Sequence, residues 1–419
     1  MTREPLRFAM VTTFYPPFNF GGDGIYVQRL AHALSARGHS VDVIHDTDAY
    51  RTLAGHEPDS MPEEDGVKVH RLRSSASFLS SFSVHQLGRP TNHRAQLREL
   101  LTNRFDVIHY HNVSLVGGPG VWSIGTGIKL HTAHEHWLVC PSHTLWRDNR
   151  ELCDEKRCLR CVLRHRRPPQ LWRATGLLDR EAMNVDMFLM LSQSAADNHR
   201  RFGFRAPMTV VPSFLPDRAE APDPDSDSME RRSPYFLFVG RLEPIKGLHN
   251  VIPAFDDALA ADLLIAGTGQ QEPELRRIAQ GRRNVRFLGR KSMRELHALY
   301  RDAIAVITPS QCYEVFPMVV LEAFREGTPI VARDLGPYPD IVNKTGGGLL
   351  FRTELELRSC LHRLVANPSE AAELGCKASL GFSQHWSEDV AMAAYFDVIR
   401  KAAEARGMGD VLAKLSPDP

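Results

Sequence analysis

The sequence carries no excess of charge of either sign, and it contains no long run of apolar residues. Its 419 residues include 51 Lys and Arg against 50 Asp and Glu, so no global field attracts a polyanion and we expect no nucleic-acid partner. No segment approaches the roughly 18 uninterrupted apolar residues that a membrane-spanning helix needs. The N-terminus also lacks the apolar core of a signal peptide. Together these absences predict a cytoplasmic protein.

Short β-rich segments alternate with helical patterns along the chain. The first series of predicted strands comprises RFAMVTTF, SVDVIH, VKVHRL, FDVIHYHN, GIKLHTAHE and MFLMLS, and the second comprises YFLFVGR, ADLLIAG, NVRFLG, AIAVITPS and PIVAR. Such alternation is typical of βαβ units and parallel sheets. We therefore expect two doubly wound α/β domains, in which ligands bind beyond the carboxyl ends of the strands.

Three further segments complete this organisation. YVQRLAHALSARGH is predicted to be an amphipathic helix, with Val27, Leu30 and Leu34 on its apolar face and Gly38 at its end. The polar segment PDRAEAPDPDSDSMERRSP, between the two series, is predicted to be a solvated loop. The tail EDVAMAAYFDVIRKAAEAR is predicted to be a long helix that folds back onto the first domain.

Two glutamates flank a predicted helix N-terminus in PSQCYEVFPMVVLEAFREGTPIVAR. Glu314 lies in the loop after a strand, and Pro317 suits the first turn of the helix. Glu322 lies within the helix and Gly327 ends it. Because the N–H groups and the positive dipole end of a helix attract phosphate, one carboxylate can contact a sugar and the other a ribose, with a diphosphate between them. An exposed loop acid and an unrelated helix-surface acid are the alternative explanation.

Basic residues follow the first strand of the second series, in FVGRLEPIKGL. Arg241 and Lys246 lie in the loop after this strand, where a guanidinium and an ammonium can clamp a diphosphate. LIAGTGQQEPEL and VRFLGRKSMREL add glycine-rich turns at later strand ends, where the backbone can approach a base closely. Together with the paired glutamates, these turns favour a nucleotide-binding second domain.

This combination of motifs resembles the nucleotide-sugar half of the retaining glycosyltransferases of family 4, which have the GT-B fold. The resemblance covers nearly the whole chain, including the glutamate spacing of the family's E-x7-E motif, the segment GRLEPIKG and the opening GGDGIYVQRLAHALSARGHSVDV. It implies two Rossmann-like domains that face each other across a cleft. The implied ranges are 1–207 for an acceptor domain with a cysteine-bearing insertion at about 138–170, 208–385 for a nucleotide-sugar domain, and 386–419 for a helix that crosses back to the first domain.

The resemblance also implies roles for individual residues. Glu314 would bind hydroxyls of the donor sugar, Glu322 would bind the nucleotide ribose, and Arg241 and Lys246 would neutralise the diphosphate. His111, the second histidine of FDVIHYHN, would approach the donor sugar near the reacting carbon. The expected catalytic set is therefore His111, Arg241, Lys246 and Glu314, and the expected donor-binding set is Gly21, Gly22, Arg241, Lys246, Gly267, Glu314, Val315, Phe316 and Glu322.

Two positions depart from the family pattern, and the other histidines at strand ends are weaker candidates for a functional role than His111. Gly24 stands where many members have an acid, which leaves the contacts of that loop open, and Pro317 replaces a common glycine. His134 corresponds to a family position near the acceptor. A histidine at a strand end, such as His109 or His131, is more often a structural hydrogen-bonding group than a catalyst.

The segment GGDGIYV also resembles part of a dinucleotide-binding fingerprint. It lacks the third glycine, and YPPFNF separates it from the preceding strand, whereas the fingerprint needs a tight turn directly after the strand. A dehydrogenase is therefore not favoured. We expect a loop in which Gly21 and Gly22 let the backbone approach the donor phosphates.

Four of the seven cysteines lie in CPSHTLWRDNRELCDEKRCLRC, with the spacing C-x12-C-x4-C-x2-C. Four thiolates can form a closed tetrahedral zinc site or hold an iron–sulfur cluster. Four ordinary buried cysteines are the alternative, which the density of the cluster argues against. We therefore expect a structural zinc, in preference to an iron–sulfur cluster, on Cys140, Cys153, Cys158 and Cys161.

Two short acidic segments and one basic run suggest sites that we do not assign. Asp46 and Asp48 in DTD, and Asp223 to Asp227 in DPDSD, imitate metal-binding patterns but are expected to be solvated turns. The first merely follows a strand, in a chain whose diphosphate charge is already assigned to Arg and Lys, and the second lacks the glycine and glutamate of a calcium loop. The run RCLRCVLRHRRPPQLWR is expected to be a solvated face. Its rival explanation is a patch that docks an anionic acceptor or an anionic membrane surface.

The function that these features predict is a retaining transfer of a sugar from a nucleoside diphosphate donor, UDP in preference to GDP, to an acceptor hydroxyl. The acceptor is a glycan, a lipid-linked molecule or a small molecule, and no catalytic divalent metal is expected. Two alternatives stay open: a non-catalytic GT-B protein that binds a ligand or senses metal or redox state, and a nucleotide-sugar epimerase, which needs no acceptor.

Overall fold

The computed structural model describes residues 4–58, 60, 65–216 and 233–415. The segment predicted to be a solvated loop, including the acidic triplet from Asp223 to Asp227, lies outside these ranges except for its ends. The described chain forms two compact units, which are made of separate stretches of sequence. The first contains the chain up to His143, Glu155–Ser213 and the chain from Ala391 onward, and the second contains Thr144–Asp154 and Phe214–Val390.

The first unit is built on a seven-stranded sheet with the order β3-β2-β1-β4-β5-β8-β9, in which all neighbouring strands are parallel. Its strands are β1 (Arg7–Thr12), β2 (Ser40–Asp46), β3 (Val67–Leu72), β4 (Val107–Tyr110), β5 (Ile128–Ala133), β8 (Met187–Met190) and β9 (Met208–Val210). Its helices before β9 are α1 (Gly22–Ala36), α2 (Thr47–Ala54), α3 (Ser77–Leu87), α4 (Arg94–Leu101), α5 (Cys158–Arg164), α6 (Leu177–Ala182) and α7 (Gln193–Arg201).

The second unit is built on a six-stranded parallel sheet with the order β12-β11-β10-β13-β14-β15 and also contains a short hairpin of β6 and β7. These strands are β6 (Trp146–Arg147), β7 (Glu151–Leu152), β10 (Tyr235–Val239), β11 (Asp262–Ala266), β12 (Val285–Gly289), β13 (Ala305–Thr308), β14 (Ile330–Arg333) and β15 (Gly348–Phe351). Its helices are α8 (Leu248–Val251), α9 (Glu272–Ile278), α10 (Met293–Arg301), α11 (Met318–Arg325), α12 (Tyr338–Thr345), α13 (Glu354–Ala366) and α14 (Pro368–His385). The chain ends with α15 (Glu388–Arg406) and α16 (Gly409–Leu415).

Both faces of the second sheet are covered by apolar side chains, and strand β10 shows why. Tyr235 and Leu237 point into one buried cluster, whereas Phe236 and Phe238 point into the other. Because successive side chains of a strand alternate between faces, a continuous apolar strand fits a sheet with helices on both sides. The expected doubly wound α/β architecture is therefore confirmed for this sheet.

Most predicted elements occur where the sequence places them. Helix α1 buries Val27, Leu30 and Leu34, and the chain leaves the helix through Gly38, whose φ is 82°. The predicted tail helix coincides with α15. The patterns did not predict strand β9 or the hairpin, whose strands have only two or three residues and show no clear alternation. They also missed β15, which begins within a run of three glycines that is typical of a turn.

Among the described helices, none combines enough length with enough apolar character to cross a bilayer.

Helix α15 is anchored to the first sheet by a buried polar contact. The hydroxyl of Tyr395 lies 2.9 Å from Nδ1 of His109 on β4, and the other nitrogen of this ring lies 2.8 Å from Oγ1 of Thr132 on β5. All three side chains are buried. Burial lowers the pKa of His109 well below its usual value, so the ring is neutral and both of its nitrogens are used in structural hydrogen bonds.

Replacing Tyr395 by Phe should remove one of these bonds and leave Nδ1 of His109 buried without a partner. We expect the free energy of unfolding to fall by about 1–3 kcal/mol, measured by urea unfolding followed by circular dichroism. Asp397→Asn, on the exposed side of the same helix, is the control and should change it by no more than about 0.5 kcal/mol. Equal effects of the two substitutions would show that the buried contact does not anchor the helix.

Candidate functional site

The strand order of the second sheet reverses direction between β10 and β13. At such a switch point the loops after the two strands diverge to opposite faces, which leaves a crevice at the carboxyl edge of a doubly wound sheet. Arg241 follows β10, and Lys246 lies in the short helical turn after it. Ser310 and Glu314 lie in the loop after β13. The fold therefore brings together the residues that two separate motifs contributed.

Lys246 and Glu314 form an ion pair at this edge. Nζ of Lys246 donates to Oε1 of Glu314 over 2.6 Å, and the hydroxyl of Ser310 donates to the same oxygen over 2.7 Å. Burial disfavours both charges, but each charge stabilises the other, so the pKa of Lys246 is raised and that of Glu314 is lowered. The pair is therefore charged, and the contact with Glu314 holds the Lys246 ammonium at this position.

Arg241 is held more loosely than Lys246. Its guanidinium lies 2.8 Å from the carboxylate of Glu243, and its side chain is 69% exposed. A guanidinium with this exposure keeps most of its rotamer freedom and can turn toward an anion.

The second glutamate of the motif has a partner that the sequence patterns did not reveal. Glu322 lies in α11, and the hydroxyl of Tyr300, which is buried at the end of α10, donates to its Oε2 over 2.7 Å. Burial and the nearby Glu322 carboxylate raise the pKa of Tyr300 well above its usual value, so the hydroxyl is a stable donor. Tyr300 therefore orients the carboxylate. In the sequence it resembled one more apolar position of an amphipathic helix.

Close backbone packing accounts for the glycine after β11. Gly267 has φ of 143°, and a Cβ added to it would lie 1.9 Å from the carbonyl oxygen of Gly240. The chain after β10 and the chain after β11 therefore touch at a point that admits no side chain. In the loop after β13, Val315 is buried and Phe316 packs partly against the core.

In the first unit, the glycine-rich segment forms the start of α1 instead of a free loop. Gly21 precedes the helix and Gly22 is its first residue. A Cβ on Gly24 would lie 2.5 Å from Oδ1 of Asn19, so the side chain of Asn19 occupies the space that an acid at position 24 would need. The neighbouring Asp23 accepts a hydrogen bond of 3.0 Å from Asn112 instead.

Two histidines of the first unit form a pair after strands β4 and β5. Nδ1 of His111 lies 3.1 Å from Nε2 of His134, and the ring of Tyr26 packs against His134 at 4.9 Å between centroids. Burial lowers the pKa of His134 to about 4 and that of His111 well below its usual value, so both rings are neutral. Within the described chain, Nε2 of His111 has no hydrogen-bond partner.

The four clustered cysteines do not form the predicted zinc site. Among the described residues, no three of their sulfur atoms lie within 4.8 Å of one another. Cys140 contacts the hydroxyl of Ser142 at 3.2 Å, and Cys158 and Cys161 lie in α5. Burial, together with the nearby Cys140 and Cys161, raises the pKa of Cys158, which favours a protonated thiol. A zinc or iron–sulfur site on these residues is therefore not supported.

The expectation that Asp46 and Asp48 form a solvated turn is wrong, because both side chains are buried. Hydrogen bonds from Ser74 and Ser77, and a contact of 3.1 Å from Nε2 of His93, surround the carboxylate of Asp48. They outweigh burial and lower its pKa. Asp46 begins α2 by accepting the backbone N–H of Asp48 over 2.8 Å. We interpret the cluster as a hydrogen-bonded network, since its donors already satisfy Asp48.

The pKa of Asp46 predicts how this network responds to pH. Burial raises the pKa of Asp46 from 3.8 to about 8, so the folded protein prefers the protonated acid. The corresponding stability is present at low pH and is lost as the pH rises through 8. Asp46→Asn keeps a neutral cap, so its melting temperature should fall less than that of the wild type between pH 6.5 and 9.5. The control is Asp179→Asn, at an exposed position, and parallel losses in all three proteins would contradict the assignment.

Comparison with known proteins gives two adjacent family matches. The model described as Glycosyltransferase Family 4 matches residues 20–217, and the model described as Glycosyl transferases group 1 matches residues 223–378. The first match covers most of the first unit and the second most of the second unit.

Individual relatives extend over most of the chain. Glycogen synthase of Mycobacterium tuberculosis is 27% identical over 398 residues, which cover 87% of each chain. Among solved structures, sucrose-phosphate synthase of Thermosynechococcus elongatus has a TM-score of 0.69 at 20% identity and covers 96% of this chain and 100% of its own. The Anabaena protein HepE in complex with UDP-glucose has a TM-score of 0.62 at 18% identity, with coverage of 96% and 100%. These structures share the fold.

Proposed function

The chain belongs to the glycosyltransferases of family 4, and on that premise we propose that it transfers a sugar, with retention of configuration, from a nucleoside diphosphate donor to an acceptor hydroxyl. UDP is the nucleotide that we propose in preference to GDP. The matches to transferases do not favour a ligand sensor or an epimerase. The acceptor class stays that of a glycan, a lipid-linked molecule or a small molecule.

The observation that carries the proposal is the Lys246–Glu314 pair at the switch point of the second sheet. When the glycosidic bond of a donor breaks, negative charge collects on the leaving diphosphate, and a fixed ammonium stabilises that charge without reorganising at the moment of reaction. Lys246 is fixed in this way by Glu314. Arg241, whose side chain is exposed, supplies a second positive charge once a diphosphate is present.

The two glutamates have separate roles in this proposal. Glu314 uses Oε1 for Lys246 and Ser310, which leaves its second oxygen for hydroxyls of the donor sugar. Glu322, oriented by Tyr300, accepts hydrogen bonds from the ribose hydroxyls. By resemblance to the family, the acceptor attacks from the side of the leaving group, and a diphosphate oxygen takes its proton. No protein carboxylate then needs to act as a nucleophile.

For the first unit we propose binding of sugar hydroxyls by His111. Its neutral ring contacts His134 through Nδ1, whereas Nε2 is buried without a hydrogen-bond partner within the described chain and can serve a sugar hydroxyl as donor or acceptor, according to the tautomer. A neutral ring at this position does not repel the positive charge that develops on the reacting carbon.

Lys246→Met should lower kcat/KM by about 100-fold or more, because the loss of one preorganised charge typically costs this much. Lys377→Met is the matched control, since Lys377 also pairs with a glutamate in the second unit but on its surface. Steady-state transfer assays, together with calorimetric titration of UDP and GDP, measure the effect. Near-normal turnover of the first variant would refute the assigned role.

Glu322→Gln and Tyr300→Phe should both weaken nucleotide binding, and the effect of Glu322→Gln should be the larger. The first removes the charge that accepts the ribose hydroxyls, and the second removes only the group that orients it, so we expect losses in affinity of about 10-fold or more and of a few-fold. The calorimetric titration with UDP and GDP measures both. A larger loss for Tyr300→Phe than for Glu322→Gln would contradict this assignment.

We also propose that the first unit makes a peripheral contact with an anionic membrane, through a docking face formed by α3 and α5. The exposed apolar side chains of α3 include Phe78, at 64% exposure, and Phe82, at 44%, whose rings stack at 5.8 Å. Helix α5 exposes two leucines one turn apart. The exposed apolar residues of the docking face are Phe78, Leu79, Phe82, Leu87, Leu159 and Leu163.

The charges around this face fit an anionic surface. Arg160 and Arg164 lie next to the exposed leucines of α5, and Arg166 and Arg167 follow the helix. Burial and nearby positive charges, Arg167 among them, lower the pKa of His85 in α3 to about 4, so Arg167 lies near α3. Exposed apolar side chains accompanied by arginines are typical of interfacial contacts with anionic lipids.

Phe78→Ser combined with Phe82→Ser should reduce co-sedimentation with vesicles of phosphatidylcholine and phosphatidylglycerol at least tenfold, because two inserted rings are lost. Leu355→Ser, at an exposed apolar position of the second unit, is the control and should bind like the wild type. Binding should also weaken with salt. If the wild type does not bind these vesicles, the proposed membrane contact is wrong.

A further inference from the structure

The hairpin between the predicted zinc ligands Cys140 and Cys158 forms one wall of a cavity. Trp146 on β6 and Leu152 on β7 are paired across the hairpin. Both contribute to a cavity of about 460 Å³ whose lining residues all belong to the second unit. The remaining lining residues are Gln311, Arg333, Asp334, Leu335 and Arg352. This volume is within the range of small-molecule sites, about 300–1,000 Å³.

The cavity lies at the carboxyl edge of the second sheet. Gln311 is in the loop after β13, Arg333 is the last residue of β14, and Arg352 directly follows β15. Ligands of doubly wound sheets bind at this edge. None of the lining residues belongs to the donor-binding set, so the cavity is a second location at the same edge.

The charges in the cavity are not balanced. Arg352 and Asp334 neutralise each other through a contact of 2.6 Å. Arg333 is half-buried, and within the described ranges no oxygen atom accepts a hydrogen bond from its guanidinium. The lining therefore carries one uncompensated positive charge. A partly buried guanidinium without a partner is completed by a carboxylate or phosphate, which it can bind in a bidentate manner.

The lining also includes apolar side chains, one of them an aromatic ring. Trp146, Leu152 and Leu335 supply flat and branched apolar surface, and Gln311 supplies an amide. A monosaccharide has an apolar C–H face and a rim of hydroxyls. A ligand that combines this face with one negative charge matches both kinds of lining residue.

We propose that this cavity is a second binding site, for a small anionic sugar whose phosphate or carboxylate pairs with Arg333 and whose ring packs against Trp146. The proposal goes beyond the transfer reaction and does not depend on it. The chemistry of the anion is shared by sugar phosphates and uronates, and the hairpin supplies the surface that distinguishes a sugar from a free inorganic ion.

The test is calorimetric titration of the full chain with glucose 6-phosphate, glucuronate, glucose and inorganic phosphate, with and without saturating UDP or GDP. We expect one of the two anionic sugars to bind at least tenfold more tightly than glucose and inorganic phosphate. Which of the two binds identifies the source of the negative charge. Binding should persist when UDP or GDP is present.

Arg333→Gln should weaken this binding at least tenfold, whereas Arg283→Gln, an exposed position outside the cavity, should leave it unchanged. Trp146→Phe should weaken it and abolish the ligand-dependent change in tryptophan fluorescence. Circular dichroism checks that each variant is folded. The proposal is overturned if neither anionic sugar binds, if inorganic phosphate binds equally well, if Arg333→Gln binds like the wild type, or if UDP and GDP both displace the sugar.

Discussion

Parallel strands place all their carboxyl ends on one edge of a sheet, and the chemistry of this protein depends on that constraint. Lys246 and Glu314 are 68 residues apart in the chain, yet they meet because β10 and β13 are neighbours at the point where the strand order reverses. The covalent order of the motifs therefore does not matter for the site. The hydrogen bonds of the sheet, which fix the register of the two strands, hold the ion pair in place.

Burial and a neighbouring opposite charge shift the pKa of an ionisable group in opposite directions, and which effect is larger differs between the two units. At Lys246 and Glu314 the partner outweighs burial, so both charges persist. At His111 and His134 burial is the stronger effect, and the Glu135 carboxylate near His134 only partly offsets it, so both rings are neutral. The second unit thus carries a charged pair and the first a pair of neutral rings, which fits the diphosphate and hydroxyl contacts proposed for them.

The sequence patterns predicted the architecture and the motifs of the second unit, because the residues that define an apolar strand, an amphipathic helix or a motif are close together in the sequence. They were not sufficient where a role depends on contacts distant in sequence. Tyr300 occupies an apolar position of an amphipathic helix, and only the fold brings its hydroxyl to Glu322. The sequence predicts a solvated Asp48, but its hydrogen-bond partners are 26 or more residues away in the chain. The cysteine spacing fits a zinc pattern, but among the described residues no three of the sulfur atoms lie within 4.8 Å of one another.

The second unit is assembled from two stretches of chain, and Thr144–Asp154 comes from within the sequence of the first. A chimera made by joining this protein to a relative in the segment between β9 and β10 would therefore exchange the six-stranded sheet of the second unit but retain the native hairpin. Recombination at that junction leaves Trp146 and Leu152 facing a foreign surface. Substitutions in the hairpin and in the sheet edge beside it must consequently be compatible with each other, although the two are encoded in different halves of the gene.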